Sequence, residues 1–244
     1  MRRIFAALIL AVGVVLLPAV AVLPATGARA DTSDFTFDSF DADYTLTRDD
    51  DGTARLEVVE TIVARFPDFD QNRGIIRAIP DDYDGVSLST TIRGVTDQNG
   101  ADVPYEEIRF NGFVELALGT DDFVRGVQTY VISYQQINVV RSFTDTGADE
   151  FYWDVNGTGW DQPFGTVRAT LHIDPELVDT LTGDAACYAG PQGGSTPCAS
   201  IAQGDAATVT ANATGLSPRE TLTVAVGFAP DTFLTPEPVF TPIP

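Results

Sequence analysis

The feature that most constrains the fold is a missing period. After residue 30 no segment sustains apolar residues at 3.6-residue spacing; short stretches of two-residue alternation, cut by turn residues, take its place. "FTFDSFDADYTLTRDDDGTARLEVVETIVARF" reads as two long strands around Asp51-Gly52, a dipeptide suited to the positive φ angles of a tight hairpin. Its alternation loses strict phase near Ile62 and Val63, which fits a strand covered on both faces or a bulge. Further strands are expected at "GVSLSTTIRGVT", "PYEEIRF", "GFVELALG", "GVQTYVISYQQINVV", "DEFYWDV", "GTVRATLHID", "AATVTANA" and "ETLTVAVGF", punctuated by Asn99-Gly100 and Asn111-Gly112. About ten strands separated by turns predict an all-β fold, an antiparallel β-sandwich. A division near residue 160 into two packed β-subdomains is the variant of this expectation. The one helical candidate is short, near "DPELVDTLTG".

The two ends stand apart from that pattern. "MRRIFAALILAVGVVLLPAVAVLPATGARA" carries Arg2 and Arg3, an apolar run from Ile4 to Leu23 and the small-residue ending Ala28-Arg29-Ala30. This is the pattern of a secretory signal peptide, with cleavage expected after Ala30. An uncut anchor is the competing reading because the run nears membrane-spanning length, but Pro18, Pro24 and the Ala-Arg-Ala ending favour cleavage. The expected organisation is a signal peptide over 1–30, an extracytoplasmic β-domain over 31–230 and a Pro-rich spacer over 231–244. Proline cannot donate to a sheet ladder, so Pro236, Pro238, Pro242 and Pro244 predict an extended spacer.

Charge narrows the partners. Without the leader's three arginines the chain has 11 arginines, no lysine and 35 acids, a formal charge of −24. Such a surface repels phosphate backbones and anionic headgroups, which argues against nucleic acid as a partner. Outside the cytoplasm Cys187 and Cys198, in "CYAGPQGGSTPC", are expected to oxidise to each other across their Gly/Pro/Ser loop. A metal site would need further ligands, and His172 is the only histidine, so no metal or other cofactor is expected.

Three constellations carry possible chemistry. "QNRGIIRAIPDDY" places Arg73 and Arg77 on one face of a strand, with Gly74 supplying a backbone shape that a side chain would block. Both arginines are expected to clasp acids such as Glu57, Glu60 or Asp81 through bidentate contacts; an anion-docking point is the alternative. "FYWDVNGTGWDQPF" brings Tyr152, Trp153, Asp154, Trp160, Asp161 and Phe164 together. That is either core packing or an aromatic and acidic platform for sugars, with Asp154 and Glu150 or Asp161 as the acids of a glycan hydrolase. "RDDDG" and "PDDYDG" read as turns before they read as calcium loops. No Gly-x-Ser-x-Gly, His-Glu-x-x-His or phosphate-loop motif occurs, and His172 has no evident nucleophile partner, so no catalytic residue is assigned.

The ordered set "DGTARLEVVETIVARF", "NRGIIRAIP", "GVQTYVISYQ", "DEFYWDVNGTGWDQPFGTVRATLHI" and "LSPRETLTVAVGF" resembles the extracytoplasmic domain of a bacterial predicted membrane-protein family, domain of unknown function 2207, over roughly residues 35 to 230. Arg73, Gly74 and Arg77 match that family's Arg-Gly-Ile-x-Arg segment. The resemblance implies a secreted β-rich domain tethered by a downstream transmembrane helix absent from this chain. The signal, the strand pattern, the spacer and the missing catalytic motifs lead to the expectation of a noncatalytic domain that mediates interactions at the cell envelope, with an envelope protein or wall polymer as partner.

Overall fold

The computed structural model describes residues 34–204 and 207–239, so the expected signal peptide and the last five residues of the spacer lie outside the described residues. β1 (Thr36–Arg48) and β2 (Ala54–Phe66) form the long hairpin around Asp51-Gly52. β3 (Asn72–Pro80) passes through the two-residue strands β4 (Asp82–Tyr83) and β5 (Val86–Ser87) to β6 (Thr91–Thr96). β7 (Tyr105–Phe110) and β8 (Phe113–Val124) make a second hairpin at Asn111-Gly112. Then come β9 (Gly126–Ile137), β10 (Val140–Phe143), β11 (Ala148–Asp154) and β12 (Phe164–Ile173). A short 3₁₀ helix (Pro175–Thr180), capped by the Asp174 side chain on the Glu176 amide, precedes β13 (Leu181–Pro191), β14 (Ser200–Gln203), β15 (Thr208–Leu216) and β16 (Glu220–Phe228).

The fold is an all-β sandwich. One layer is a seven-stranded sheet in the order β14-β15-β12-β1-β2-β9-β6. Two smaller sheets, β10-β11-β16-β13 and β3-β8-β7, lie on its inner face. Alternation decides that face: Phe40, Ala42, Tyr44 and Leu46 of β1 point inward beside Leu56, Val58, Glu60 and Ile62 of β2 and Tyr130, Ile132 and Tyr134 of β9. Tyr44 meets Phe151 of the four-stranded sheet edge to face, and Glu60 meets Arg77 of the three-stranded sheet. The buried apolar residues form one contiguous core across these three sheets, and β4 and β5 pair as a separate two-stranded one.

Several details differ from the sequence reading. β2 itself keeps its phase from Ala54 to Phe66, and the register break opposite Val63 and Ala64 is carried by its partner strand. Val59 and Val63 simply occupy the outer face of a central strand, where β-branched side chains fit well. The bulge is in β1, between Phe37 and Ser39. There are sixteen strands among the described residues rather than about ten. β13 shows why: its Gly-rich "LTGDAACYAGP" has no clean alternation and becomes a strand by pairing with β16, across a register break between Leu181 and Ala185. β1 and β12 pair in parallel, so the large sheet is mixed rather than purely antiparallel. A parallel contact between distant strands leaves no local signature.

Cys187 and Cys198 are bonded, with Cα atoms 5.4 Å apart. Cys187 lies in β13, the edge of the four-stranded sheet, and Cys198 leads into β14, the edge of the seven-stranded one. The bond therefore staples two layers at one open side. Replacing both cysteines by serine is expected to lower stability by about 2–3 kcal/mol, read as a shift in urea midpoint. Unreduced protein that takes up two alkyl groups per chain would show instead that the bond is not formed.

The tail after β16 does not hang free. Phe233 is buried and its amide donates to the buried Asp149 Oδ2 at 2.9 Å. Leu234 bridges to Thr53, Arg141 donates to the Pro236 carbonyl, and the Val239 amide donates to the Gly85 carbonyl at 2.8 Å. Residues 231–239 thus run along the domain to the β4–β5 turn.

Candidate functional site

Glu60 is an acid placed by strand alternation on the inner face of β2, among apolar neighbours, where an unpaired carboxylate would be very costly. Arg77 answers it from β3. Its Nε donates to Glu60 Oε2 at 2.8 Å and its Nη2 to Oε1 at 2.6 Å, a two-pronged contact with the arginine only 4% exposed and the glutamate 0%. Tyr134 Oη also donates to Oε1, at 2.7 Å. The remaining Arg77 nitrogen, Nη1, donates to the carbonyls of Ala78 and Asn156, and the guanidinium lies 5.3 Å from the Phe40 ring centre. Burial works against the arginine's charge, but the Glu60 carboxylate outweighs it and raises the pKa above the ordinary arginine value.

Burial followed by the Glu60 charge holds the phenols of Tyr44 and Tyr134 well above their usual value, and burial pushes Tyr130 up to about 12. In the unfolded chain these phenols ionise near pH ~10. Stability conferred by keeping them neutral is therefore complete below about pH 10 and declines as pH rises toward the folded values. Urea midpoints are expected to hold from pH 8 to pH 9.5 and to fall steadily at pH 10.5 and above. A midpoint unchanged at pH 11 would contradict this.

Arg73 behaves differently from Arg77, which corrects the expectation that both share a face and both clasp acids. The register of β3 against β8 slips between Asn72 and Gly74, so Ile75, Arg77 and Ile79 turn inward while Arg73 turns to solvent. There its Nε donates to the Asp121 carbonyl at 2.7 Å and its guanidinium sits 4.7 Å from the Phe123 ring centre. Gly74, at φ +142°, has the role expected of it. A Cβ there would stand 1.7 Å from the Leu118 carbonyl oxygen, and across the ladder a Cβ on Gly119 would stand 2.0 Å from the Arg73 carbonyl oxygen. Two glycines face each other so that the backbones can close. Asp81, a candidate partner for these arginines, is instead held by Arg109 and by the Thr90 amide, and Glu57 is exposed.

The two small sheets leave a cleft of about 930 Å³ between them. One wall is the outer face of the three-stranded sheet: Ile76, Ala78 and Pro80 from β3, Phe113 and Glu115 from β8. The other wall is Tyr152, Trp153 and Asp154 of β11 with the 157–160 loop, and Asp82, Tyr83 and Asp84 form the rim at the β4–β5 turn. Arg77 forms part of the floor, already neutralised by Glu60. The apolar wall continues outward. Phe113 sits opposite Phe110 and Glu115 opposite Ile108 on β7, a strand exposed along its whole length.

The tertiary fold thus brings two sequence constellations into one site. Tyr152 and Asp154 are half-buried on the cleft-facing side of β11. Trp153 stacks on Phe151 and Trp160 packs edge-on against Phe37 and Phe164, so both are core residues that show the cleft only one side. Of the acids considered with Asp154, Asp161 is engaged by Arg219, and neither it nor Glu150 lines the cleft. His172 is on the outer face of the large sheet, 3.3 Å from Asp43 Oδ2. Sequence reasoning missed Asn156. It is fully buried, its Oδ1 accepts from Leu222 N and Thr221 Oγ1, its Nδ2 donates to the Glu220 carbonyl, and its own carbonyl accepts from Trp160 Nε1 and Arg77. It is a joint between sheets.

Fold and cleft define a class: an all-β sandwich domain with a lateral aromatic and acidic groove. The chain belongs to the predicted membrane protein family DUF2207, whose N-terminal domain model matches residues 37–228. No curated protein matches it in sequence. In fold it is similar to native yeast leukotriene A4 hydrolase, at 9% identity and a TM-score of 0.52, over 87% of this chain and 33% of that one. It is also similar to an M1 zinc metallopeptidase from Deinococcus radiodurans, at 15% identity and a TM-score of 0.39, over 79% of this chain and 42% of that one. The chain therefore spans about a third of the yeast enzyme, and at these identities the likeness is one of fold alone. Among the described residues no helix is long and apolar enough to cross a membrane.

Proposed function

We propose that this is a noncatalytic binding domain, exported by its N-terminal signal and held at the bacterial envelope by a downstream membrane helix, and that the cleft between its small sheets receives the partner. The observation that carries this reading is a contiguous exposed apolar surface leading into the cleft. Phe110, 64% exposed, pairs with Phe113, 43% exposed; Ile108, 55% exposed, lies two residues along β7, and Ile76, 64% exposed, joins them through Ala78 and Pro80 on the same face of the three-stranded sheet. Isolated exposed apolar residues are ordinary, but a joined patch opening into a groove marks an interaction surface. A photoreactive residue at Phe113 in the native cell is expected to crosslink a defined envelope component, while the same residue at Asp179, a remote exposed position, yields none. Equal labelling from both positions, or none from Phe113, would reject the cleft as the docking site.

The second reading, wall-glycan binding or hydrolysis, draws on Glu115 and Asp154 standing on opposite walls beside aromatic rings. Release of reducing ends from purified wall glycan, abolished by Glu115→Gln or Asp154→Asn, would favour it over the noncatalytic reading. Duplex DNA is not a partner in either case. With a formal charge of −24 after loss of the leader, the domain should give no gel shift at micromolar concentration and moderate salt.

A further inference from the structure

We infer that the cleft takes a cationic peptide segment, an extended stretch presenting lysine or arginine between apolar residues. This rests on the cleft being the docking site and adds the chemistry of what docks. Four carboxylates line it: Asp82, Asp84, Glu115 and Asp154. Among the described residues none of the four is in an ion pair. The nearby cations are engaged elsewhere. Arg77 in the floor is matched by Glu60, Arg109 is held by Asp81 and Glu107, and Arg141, 6.0 Å from the Tyr83 ring centre, donates to the Pro236 carbonyl.

The cleft acids accept only neutral donors. Asp154 takes Thr223 Oγ1 at 2.6 Å and Gln192 Nε2 at 3.2 Å, and Asp82 takes the Gly85 amide at 2.9 Å. Uncompensated carboxylates around a concave, partly apolar site concentrate negative potential there, and a cation entering it gains more than at a flat surface. Phe113 and Tyr152 supply ring faces for an ammonium or guanidinium, a contact that aromatic side chains favour. Ile76, Phe110 and Phe113 give the flanking aliphatic side chains an apolar bed. A neutral glycan would leave the four acids unmatched, and an anionic polymer would be repelled.

The test uses the mature domain and a fluorescein-labelled octapeptide of alternating lysine and leucine, beside versions with acetyl-lysine or glutamate in place of lysine. Fluorescence anisotropy at about 0.15 M salt, where distant charges are screened, reads the affinity. The lysine peptide is expected to bind at least about tenfold more tightly than either counterpart, and Glu115→Gln to weaken it about tenfold. Asp154→Asn should act likewise, with a thermal melt confirming that it folds. Removing two remote exposed acids, Asp102→Asn with Asp179→Asn, should change affinity less than about twofold. Equal weakening by the remote pair, equal binding of the acetylated peptide, or no binding of the lysine peptide overturns the inference. If the peptide fails while crosslinking from Phe113 still captures a component, the docking site stands and only its cationic ligand falls. Binding of an uncharged chitin-type oligosaccharide in the peptide's place identifies the site as one for glycans.

Discussion

Arg77→Met is expected to lower the stability of the domain by about 3–5 kcal/mol, because it leaves the Glu60 carboxylate buried without its counter-charge. Arg77→Lys should cost about 1–3 kcal/mol: it keeps the charge but cannot reproduce the two-pronged contact with Glu60 together with the bonds to the Ala78 and Asn156 carbonyls. Arg73→Lys should change stability by less than about 0.5 kcal/mol, since Arg73 is exposed and makes no carboxylate contact among the described residues. The double change Arg77→Met with Glu60→Met removes both charges and is expected to recover a large part of the single loss. Urea melts of these four variants beside wild type decide the matter. An Arg77→Met midpoint equal to that of wild type would mean that the pair does not hold the three-stranded sheet to the large one.

Gly74→Ala should be nearly as damaging, by a different mechanism. The new Cβ would stand 1.7 Å from the Leu118 carbonyl oxygen, a backbone atom that no rotamer change can move, and φ +142° is strained for any L side chain. A loss of at least about 3 kcal/mol is expected, which for a domain of this size lowers the melting temperature by roughly 6–12 °C. Gly119→Ala should match it, because its Cβ would meet the Arg73 carbonyl oxygen at 2.0 Å. Gly100 is the internal comparison. Its φ is +80° but nothing lies within 4 Å, so Gly100→Ala should cost only about 1 kcal/mol from backbone strain. Similar losses at all three positions would show that the close approach of β3 and β8 is not what Gly74 provides.

Glu60 and Arg77 show how far local pattern carries. An acid in phase with Leu56, Val58 and Ile62 has to be buried and therefore needs a cation, and arginine is the only cationic side chain apart from one histidine. That much follows from alternation and composition, and Glu60 was among the partners expected for the arginine pair. The separate fate of Arg73 did not follow, because strand periodicity assumes an unbroken register and the slip at Gly74 inverts the face. Tyr152 and Trp153 divide in the same way. Two-residue alternation places them on opposite sides of β11, but which side meets a groove depends on the sheet packed across from it.

By itself the sequence determined the elements that depend on near neighbours. These are the hairpins at Asp51-Gly52 and Asn111-Gly112, the strand character of most segments, and the pairing of two thiols across a short loop, because turn preference, alternation and loop closure all act within a dozen residues. Only the tertiary structure decided the parallel contact of β1 with β12, the strand state of β13, the role of Asn156 as a joint and the cleft itself. Each of these joins segments tens of residues apart or more. Its free energy comes from burial and hydrogen bonding between surfaces that no local stretch contains, so it exists only once the sheets have packed.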